Sequence, residues 1–177
     1  MRRIAAVLAL LVLVACRSES SSGDERSYEH ILPFDTATVR VASARDTTRL
    51  TVLLAESEQQ RTLGLMERRS LAPNAGMLFL YPATQPPTPG YWMFRTRIPL
   101  DIAFADSLGR IVSIVTMQPC TSELAQGCPD YPAGAAYRAA LEANAGFFAR
   151  NGIRVGDRLF LGDTTSRRRG TSSAVGS

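Results

Sequence analysis

Apolar and polar residues alternate with a period of two through much of the chain between residues 37 and 162. This period is typical of β-strands that are buried on one face. Residues 137–143 fit a helix and a strand equally well. The strands that the pattern predicts cover residues 38–41, 50–54, 76–81, 91–94, 100–105, 110–117 and 158–161.

Two short helices are predicted between the strands. Ser57 is a favourable N-cap, and Gln60 three residues later completes a capping box. Gly64 limits this helix to about two turns. Asn144 is predicted to cap a second helix over residues 145–151.

The strands are short, and the segments between them leave little room for βαβ crossovers. This arrangement favours the mainly β class. We therefore expect residues 37–162 to form a single compact antiparallel β-sandwich or barrel-like domain with two short helices.

The N-terminus carries an export signal. A short basic segment precedes eleven apolar residues at positions 4–14, too few to span a bilayer, which takes about 20 residues. The run fits a secretory signal. It ends in Ala15 and Cys16, which resembles the bacterial lipobox, where the cysteine is lipidated and becomes the first mature residue. An ordinary signal peptide and an uncleaved anchor are the alternatives.

The lipobox predicts the organisation of the N-terminal part. Residues 1–15 are expected to be a lipoprotein signal peptide, and residues 16–36 a lipidated cysteine followed by a flexible polar tether. His30 lies in this tether as a spacer residue. We expect an extracytoplasmic domain in the bacterial cell envelope, bound to a membrane through Cys16.

The charge balance excludes a nucleic-acid-binding protein. All 20 basic residues are arginine. Cleavage after Ala15 leaves 18 arginines against 16 acids, whereas nucleic-acid binding needs basic residues clustered on one face. The one cluster, Arg167 to Arg169, lies in residues 163–177, which are predicted to be a disordered tail. Contact of this tail with an anionic lipid or polymer is the alternative.

The sequence lacks the residues that several kinds of catalytic or metal-binding site require. Without lysine there is no Schiff base, and one histidine cannot supply a multi-histidine metal site. No Gly-x-Ser-x-Gly motif occurs, and the acids lack the spacing of a calcium loop. We expect no cofactor.

Cys120 and Cys128 are separated by seven residues. In the oxidising compartment that the export signal predicts, they should form a disulfide. A two-cysteine metal site is the alternative, although no third ligand type lies nearby in the sequence.

A set of motifs resembles the family called domain of unknown function 192, also UPF0127. The motifs are Gly64-Leu65-Met66 with Arg68, Gly76-Met77-Leu78-Phe79, Trp92-Met93 with Thr96, Ile98-Pro99-Leu100-Asp101-Ile102 with Phe104, Leu141-Glu142, Ala145-Gly146, Gly152-Ile153 and Val155-Gly156-Asp157. The resemblance covers residues 51–161 and implies a compact, mostly β, often exported domain without an established activity. This chain has Arg95 where the family usually has asparagine.

Three methionines lie in these motifs, namely Met66, Met77 and Met93. Thioethers bind Cu(I), but methionine also fills irregular cores. The apolar neighbours of all three favour core packing over a copper site.

Trp92 follows a proline-rich loop that could form the rim of a groove. An indole facing outward would suit a sugar ring or an apolar ligand, and one facing inward would anchor the core. The pattern favours burial.

On its predicted strand, Asp101 points to the face opposite to that of Leu100 and Ile102. The small residues Ala103 and Ala105 share the Asp101 face. If covered, its carboxylate needs donors such as Thr96, Arg95 or Arg97. If open, it would border a ligand site.

The sequence therefore predicts a non-catalytic binding or accessory module of the cell envelope. Its ligand would be a small molecule, a glycan or an envelope protein, and the residues expected to bind it are Trp92, Met93, Thr96, Asp101 and Glu142. The alternative is a hydrolase that uses Asp101 and Glu142 as a carboxylate pair. Cu(I) binding by the three methionines is the third hypothesis.

Overall fold

A computed structural model describes residues 32–165 of the chain. The predicted signal peptide, the predicted lipidation site Cys16, the predicted spacer residue His30 and the basic cluster near the C-terminus lie outside this range. Among these residues, regular structure runs from Thr36 to Thr165. Within the described range, no helix is both long and apolar enough to cross a bilayer.

The mainly β class is confirmed. Helix α1 covers Glu58–Leu63 and helix α2 covers Phe147–Arg150. A short 3₁₀ helix lies at Ala125–Gly127. The strands are β1 Thr36–Ala42, β2 Thr47–Ala55, β3 Ala75–Gln85, β4 Tyr91–Trp92, β5 Leu100–Ala105, β6 Ile111–Met117, β7 Asp130–Tyr131, β8 Tyr137–Asn144 and β9 Arg158–Thr165.

Seven strands form one curled sheet in the order β6-β5-β8-β3-β2-β1-β9, and β4 pairs with β7 in a second, small sheet. The ends of the large sheet approach each other. The amide of Leu159 on β9 donates to the carbonyl of Gly109, just before β6, at 2.8 Å. The amide of Ile111 on β6 donates to the carbonyl of Asp157, just before β9, at 2.8 Å. The sheet is therefore barrel-like.

The large sheet is mixed rather than wholly antiparallel. Strands β2 and β3 run parallel, with Val52 opposite Gly76. Parallel neighbours need a crossover connection, and residues 56–74, which include α1, provide it. This crossover places α1 over the outer face of the sheet.

Each face of the large sheet packs against an apolar cluster. The inner core fills the concave side and includes Val39, Leu50, Leu78, Leu141 and Phe148. The outer core lies on the opposite face and includes Met77, Phe79, Met93, Ile102 and Phe104. Strands β3, β5 and β8 contribute to both cores. For this reason all six residues of β5 are buried, so the face that carries Asp101 is covered.

The helix termini match the predictions in part. The hydroxyl of Ser57 accepts from the Gln60 amide at 3.1 Å, and the Gln60 side chain accepts from the Ser57 amide at 2.9 Å, so the capping box is confirmed. The second cap is wrong, because Gly146 precedes α2. Asn144 instead donates from its side chain to the carbonyls of Leu71 at 3.1 Å and Ala72 at 3.0 Å.

The disulfide between Cys120 and Cys128 is confirmed, with the two sulfur atoms 2.07 Å apart. The backbone of Cys120 also forms isolated β-bridges with that of Phe94 and that of Thr96. The disulfide loop is thereby attached to the segment that follows β4.

We expect Gly76→Ala to destabilise the domain. Gly76 lies opposite Ala143 on β8, and a Cβ atom added there would lie 2.3 Å from the backbone oxygen of Glu142. Overpacking against backbone should lower the free energy of unfolding by about 3 kcal/mol, as measured by urea denaturation. Gly134→Ala is the control, since no atom lies within 4 Å of its added Cβ and only its φ of 70° should cost about 1 kcal/mol; a Gly76 variant no less stable than this control would contradict the close packing of β3 on β8.

Candidate functional site

A cavity of about 270 Å³ lies on the outer face of the sheet. Helix α1 and the turn after it form one wall, and the small strand β4 forms another. Strands β3 and β8 close the cavity on the sheet side with Phe79, Tyr81 and Glu142. The cavity therefore lies between the sheet and the segments that cover it.

Glu142 is the most unusual residue of this cavity. It lies in the middle of β8, opposite Met77 on β3 and Ile102 on β5, so its side chain shares their outer face. The residue is only 4% exposed, and it makes no hydrogen bond or ion pair within residues 32–165. No side-chain oxygen in that range is both sealed and unpaired, so the small accessible area of the carboxyl group faces the cavity that Glu142 lines.

Burial raises the pKa of Glu142 to about 8. An ionised carboxylate would lose its hydration there without gaining a protein partner. At neutral pH the group is therefore mostly a protonated acid, which can donate one hydrogen bond and accept others.

Two tyrosines form a neutral wall beside this acid. The hydroxyl oxygens of Tyr81 and Tyr91 are 2.5 Å apart. The Tyr91 ring packs edge-on against Phe79 and Phe104, with centroid distances of 5.2 and 5.4 Å. Burial, followed by the proximity of Tyr81, raises the pKa of Tyr91. Tyr91 therefore remains an uncharged phenol.

Arg61 on α1 brings a positive charge to the cavity wall. Its guanidinium carbon lies 4.9 Å from the centroid of the Tyr81 ring. The same guanidinium donates from Nη1 to the carbonyl of Leu80 at 2.9 Å and to the carbonyl of Glu56. These contacts hold the cation against the tyrosine ring.

Trp92 is 46% exposed, so the prediction of burial is wrong. Successive residues of a strand point to opposite sides. In the two-residue strand β4, Tyr91 is the residue that packs into the outer core. Trp92 stays at the rim of the cavity, with its ring 6.0 Å from that of Phe94.

The turn after β4 brings Thr96 to the cavity. Thr96 is buried and borders the cavity, whereas Met93 lies in the outer core. Between them, Arg95 has a φ of 56°, a left-handed conformation that asparagine adopts more easily. This geometry gives a physical reason for the asparagine that the resembled family usually has at this position.

Asp101 lies on the other face of the sheet. It is opposite Thr116 on β6 and Ala143 on β8, so its side chain points to the same face as that of Ala143, whereas neighbouring Glu142 points to the opposite face. Asp101 is 3% exposed and accepts a hydrogen bond from the Thr116 hydroxyl at 2.7 Å. Thr116 therefore supplies the donor that was expected from Thr96, Arg95 or Arg97.

This register changes the predicted site in two ways. Asp101 does not border the cavity. It also cannot share a cleft with Glu142, because the sheet lies between the two carboxyl groups. The hydrolase hypothesis based on this pair is therefore wrong.

The three methionines lie in different surroundings. Met77 and Met93 are buried in the outer core, and Met66 borders the cavity. Between residues 32 and 165, no group of three histidine, cysteine, aspartate or glutamate residues is placed to hold a metal ion. The surroundings of Met77 and Met93 favour packing over copper binding.

The sequence did not predict that Tyr81, Tyr91 and Arg61 border the cavity. One signal for Tyr81 was present, because it follows Phe79 by two residues and so shares its face. Tyr91 lies on β4, and Arg61 lies on α1 in the crossover. The local sequence of these two segments does not indicate where they pack on the sheet.

We expect Glu142→Gln to remove a pH dependence of stability. In the folded domain the acid holds a proton up to about pH 8, whereas in the unfolded chain it releases the proton near its ordinary pKa of 4.5. The free energy of unfolding should therefore fall as the pH rises from about 4.5 to about 8 in the unmodified protein. Relative to the variant, this loss should be at least about 1 kcal/mol.

Urea denaturation of both proteins across this pH range measures the difference. Subtracting the two curves cancels every other titrating group. Parallel curves for the two proteins would contradict the raised pKa.

Comparison with known proteins places this geometry in a family. A protein from Sinorhizobium meliloti 1021, named as a candidate transcription regulator and known from a crystal structure, is 37% identical in sequence to this chain. The two structures superpose with a TM-score of 0.63 over 73% of this chain and 96% of that chain. A protein of unknown function from Novosphingobium aromaticivorans DSM 12444 is 30% identical, with a TM-score of 0.60 over 71% of this chain and 84% of that one. Among curated proteins, none matches.

The family assignment rests on the same part of the chain. A family model described as DUF192, uncharacterized ACR, matches residues 39–161, which include every strand that borders the cavity. The chain therefore belongs to the DUF192 family.

Proposed function

We propose that this protein is a non-catalytic binding module of the cell envelope, and that its cavity beside Glu142 holds a small molecule. One observation carries the proposal: a buried acid that has no partner among residues 32–165 faces an open cavity. Leaving a buried polar group unpaired costs free energy. A ligand that pairs with Glu142 would recover this cost on binding.

The size and lining of the cavity support a small ligand. Small-molecule sites start at about 300 Å³ and combine apolar walls with a few polar groups. This cavity has a volume of about 270 Å³ and joins aromatic residues to Glu142 and Thr96. A binding site for a protein or a long glycan chain would be a broader surface.

A binding role fits these groups better than catalysis. A general acid works with a second group that accepts or relays the proton. Asp101, the acid considered for that role, lies across the sheet, and the cysteines at 120 and 128 are joined in a disulfide.

The envelope location rests on the sequence and on the disulfide. The apolar run before Cys16 has the length of a secretory signal. Disulfides persist in exported proteins and are rare in the reducing cytosol. A lipid at Cys16 would keep the domain near the membrane surface.

Transcription regulation, named for the relative from Sinorhizobium meliloti, has less support in this chain. Residues 32–165 contain 13 arginines and 12 acids. Glu67 is paired with Arg97 and lies 3.7 Å from Arg95. A DNA-binding face would need basic residues that are not balanced in this way.

The binding role can be tested with a fragment library and NMR spectra of the domain. Ligands should shift the Trp92 indole signal and bind at least tenfold more weakly to Glu142→Gln, because the amide can neither donate an acid O–H nor ionise. Asp101→Asn is the matched control, since it makes the same carboxyl-to-amide change on the other face of the sheet. A library without any ligand for the cavity, or equal losses in both variants, would overturn the proposal.

The lipid anchor can be tested by cell fractionation. The full chain should sediment with membranes and require detergent for release, and Cys16→Ser should appear in the soluble envelope fraction. Mass spectrometry of the N-terminal peptide should show a lipid on Cys16. An N-terminal peptide of the unmodified chain whose Cys16 carries no lipid would contradict lipid attachment at this residue.

A further inference from the structure

We infer that the ligand of this cavity is a small organic ammonium ion, which ion-pairs with Glu142 against the aromatic wall. The inference rests on the proposed binding function and specifies its ligand class. Three features of the cavity support it: the aromatic lining, the charges at its border and the state of the tyrosine hydroxyls.

Four aromatic residues border the cavity, namely Phe79, Tyr81, Tyr91 and Trp92. The faces of such rings attract cations, and tryptophan does so most strongly. The Tyr81 ring already serves in this way, because the Arg61 guanidinium lies over it at 4.9 Å. The half-exposed indole of Trp92 at the rim is available to a ligand.

The charges at the border favour a cationic ligand over an anionic one. Among the described residues, Glu58, Arg61 and Glu142 are the acidic and basic groups that line the cavity. Arg61 is held by two backbone carbonyls and a tyrosine ring. An anion would meet the Glu58 carboxylate and this single, occupied cation, whereas a cation would meet Glu142, a carboxyl group without a counter-ion among the described residues.

The hydrogen-bonding groups do not favour a sugar. A sugar presents many hydroxyl groups and needs several polar partners. Tyr81 and Tyr91 already bond to each other at 2.5 Å, which leaves Glu142 and Thr96 as the polar side chains on the sheet side and the turn. An ammonium group on a small apolar frame needs one strong polar partner and aromatic surface, and the cavity offers both.

Binding of a cation would release a proton. Glu142 is mostly protonated near neutral pH because burial raises its pKa to about 8, and it must ionise to pair with an ammonium group. The other titratable groups that face it are Glu58 and Arg61 on α1, Tyr81 on β3 and Tyr91 on β4, with Tyr137 further along β8. Arginine keeps its charge, and burial raises the pKa values of Tyr91 and Tyr137.

Choline and 3,3-dimethyl-1-butanol are matched probes for this inference. They have the same shape, but a neutral carbon replaces the ammonium nitrogen in the second. Choline cannot lose a proton from nitrogen, so any proton released on its binding comes from the protein. Calorimetry in buffers of different ionisation enthalpy measures that release.

We expect choline to bind at least about tenfold more tightly than its neutral isostere. Its affinity should rise with pH up to about 8, the pKa of Glu142. Glu142→Gln should abolish the preference for choline, its pH dependence and the proton release. Trp92→Ala should lower the affinity for choline several-fold. Asp101→Asn should change neither the affinity, nor its pH dependence, nor the proton release.

The outcomes separate the ligand class from the binding function. If the neutral isostere binds as tightly as choline, or if choline does not bind at millimolar concentration while neutral fragments occupy the cavity, the ammonium class is wrong and the binding function stands. If no probe of either kind perturbs Trp92 or the residues beside Glu142, both proposals fail.

Discussion

Burial of the central strands on both faces is the constraint on which the cavity depends. Strands β3, β5 and β8 lie between the inner core and the outer core. A polar residue in the middle of these strands therefore lies away from bulk solvent, whichever face its side chain is on. Asp101 meets this constraint by accepting a hydrogen bond from the Thr116 hydroxyl on the inner face. Glu142 on the outer face has no such partner in the described part of the chain and faces the cavity. The same sheet thus contains one satisfied acid and one unsatisfied acid.

The outer cover of the sheet is held in place by three connections. The crossover from β2 to β3 carries α1, and Asn144 at the end of β8 donates to the carbonyls of Leu71 and Ala72 within that crossover. Strand β4 pairs with β7, and Cys120 joins the disulfide loop to the turn that positions Thr96. Because these segments are tied to one another and to the sheet, the cavity walls are formed before a ligand arrives.

Local signals predicted much of the fold, and pairings between distant segments account for what they missed. The capping box at Ser57 and the Cys120–Cys128 disulfide depend on residues a few positions apart, so the sequence contained them. The parallel pairing of β2 with β3 depends on where the crossover lies. The separation of Asp101 from Glu142 depends on a register in which Asp101 faces Ala143, and a shift of one residue would place both acids on one face. No periodicity within one strand determines that register.

The magnitudes favour a cation in this cavity over continued burial of the neutral acid. Ionising a group with a pKa of about 8 at neutral pH costs about 1 kcal/mol. A charge pair at about 4 Å gains about 4 kcal/mol at an effective dielectric constant of about 20. The ligand must also lose hydration, and this cost is smallest for an ammonium group whose charge is spread over methyl groups. Contact with the Trp92 face adds to the gain, so a methylated ammonium suits the cavity better than a strongly hydrated metal cation.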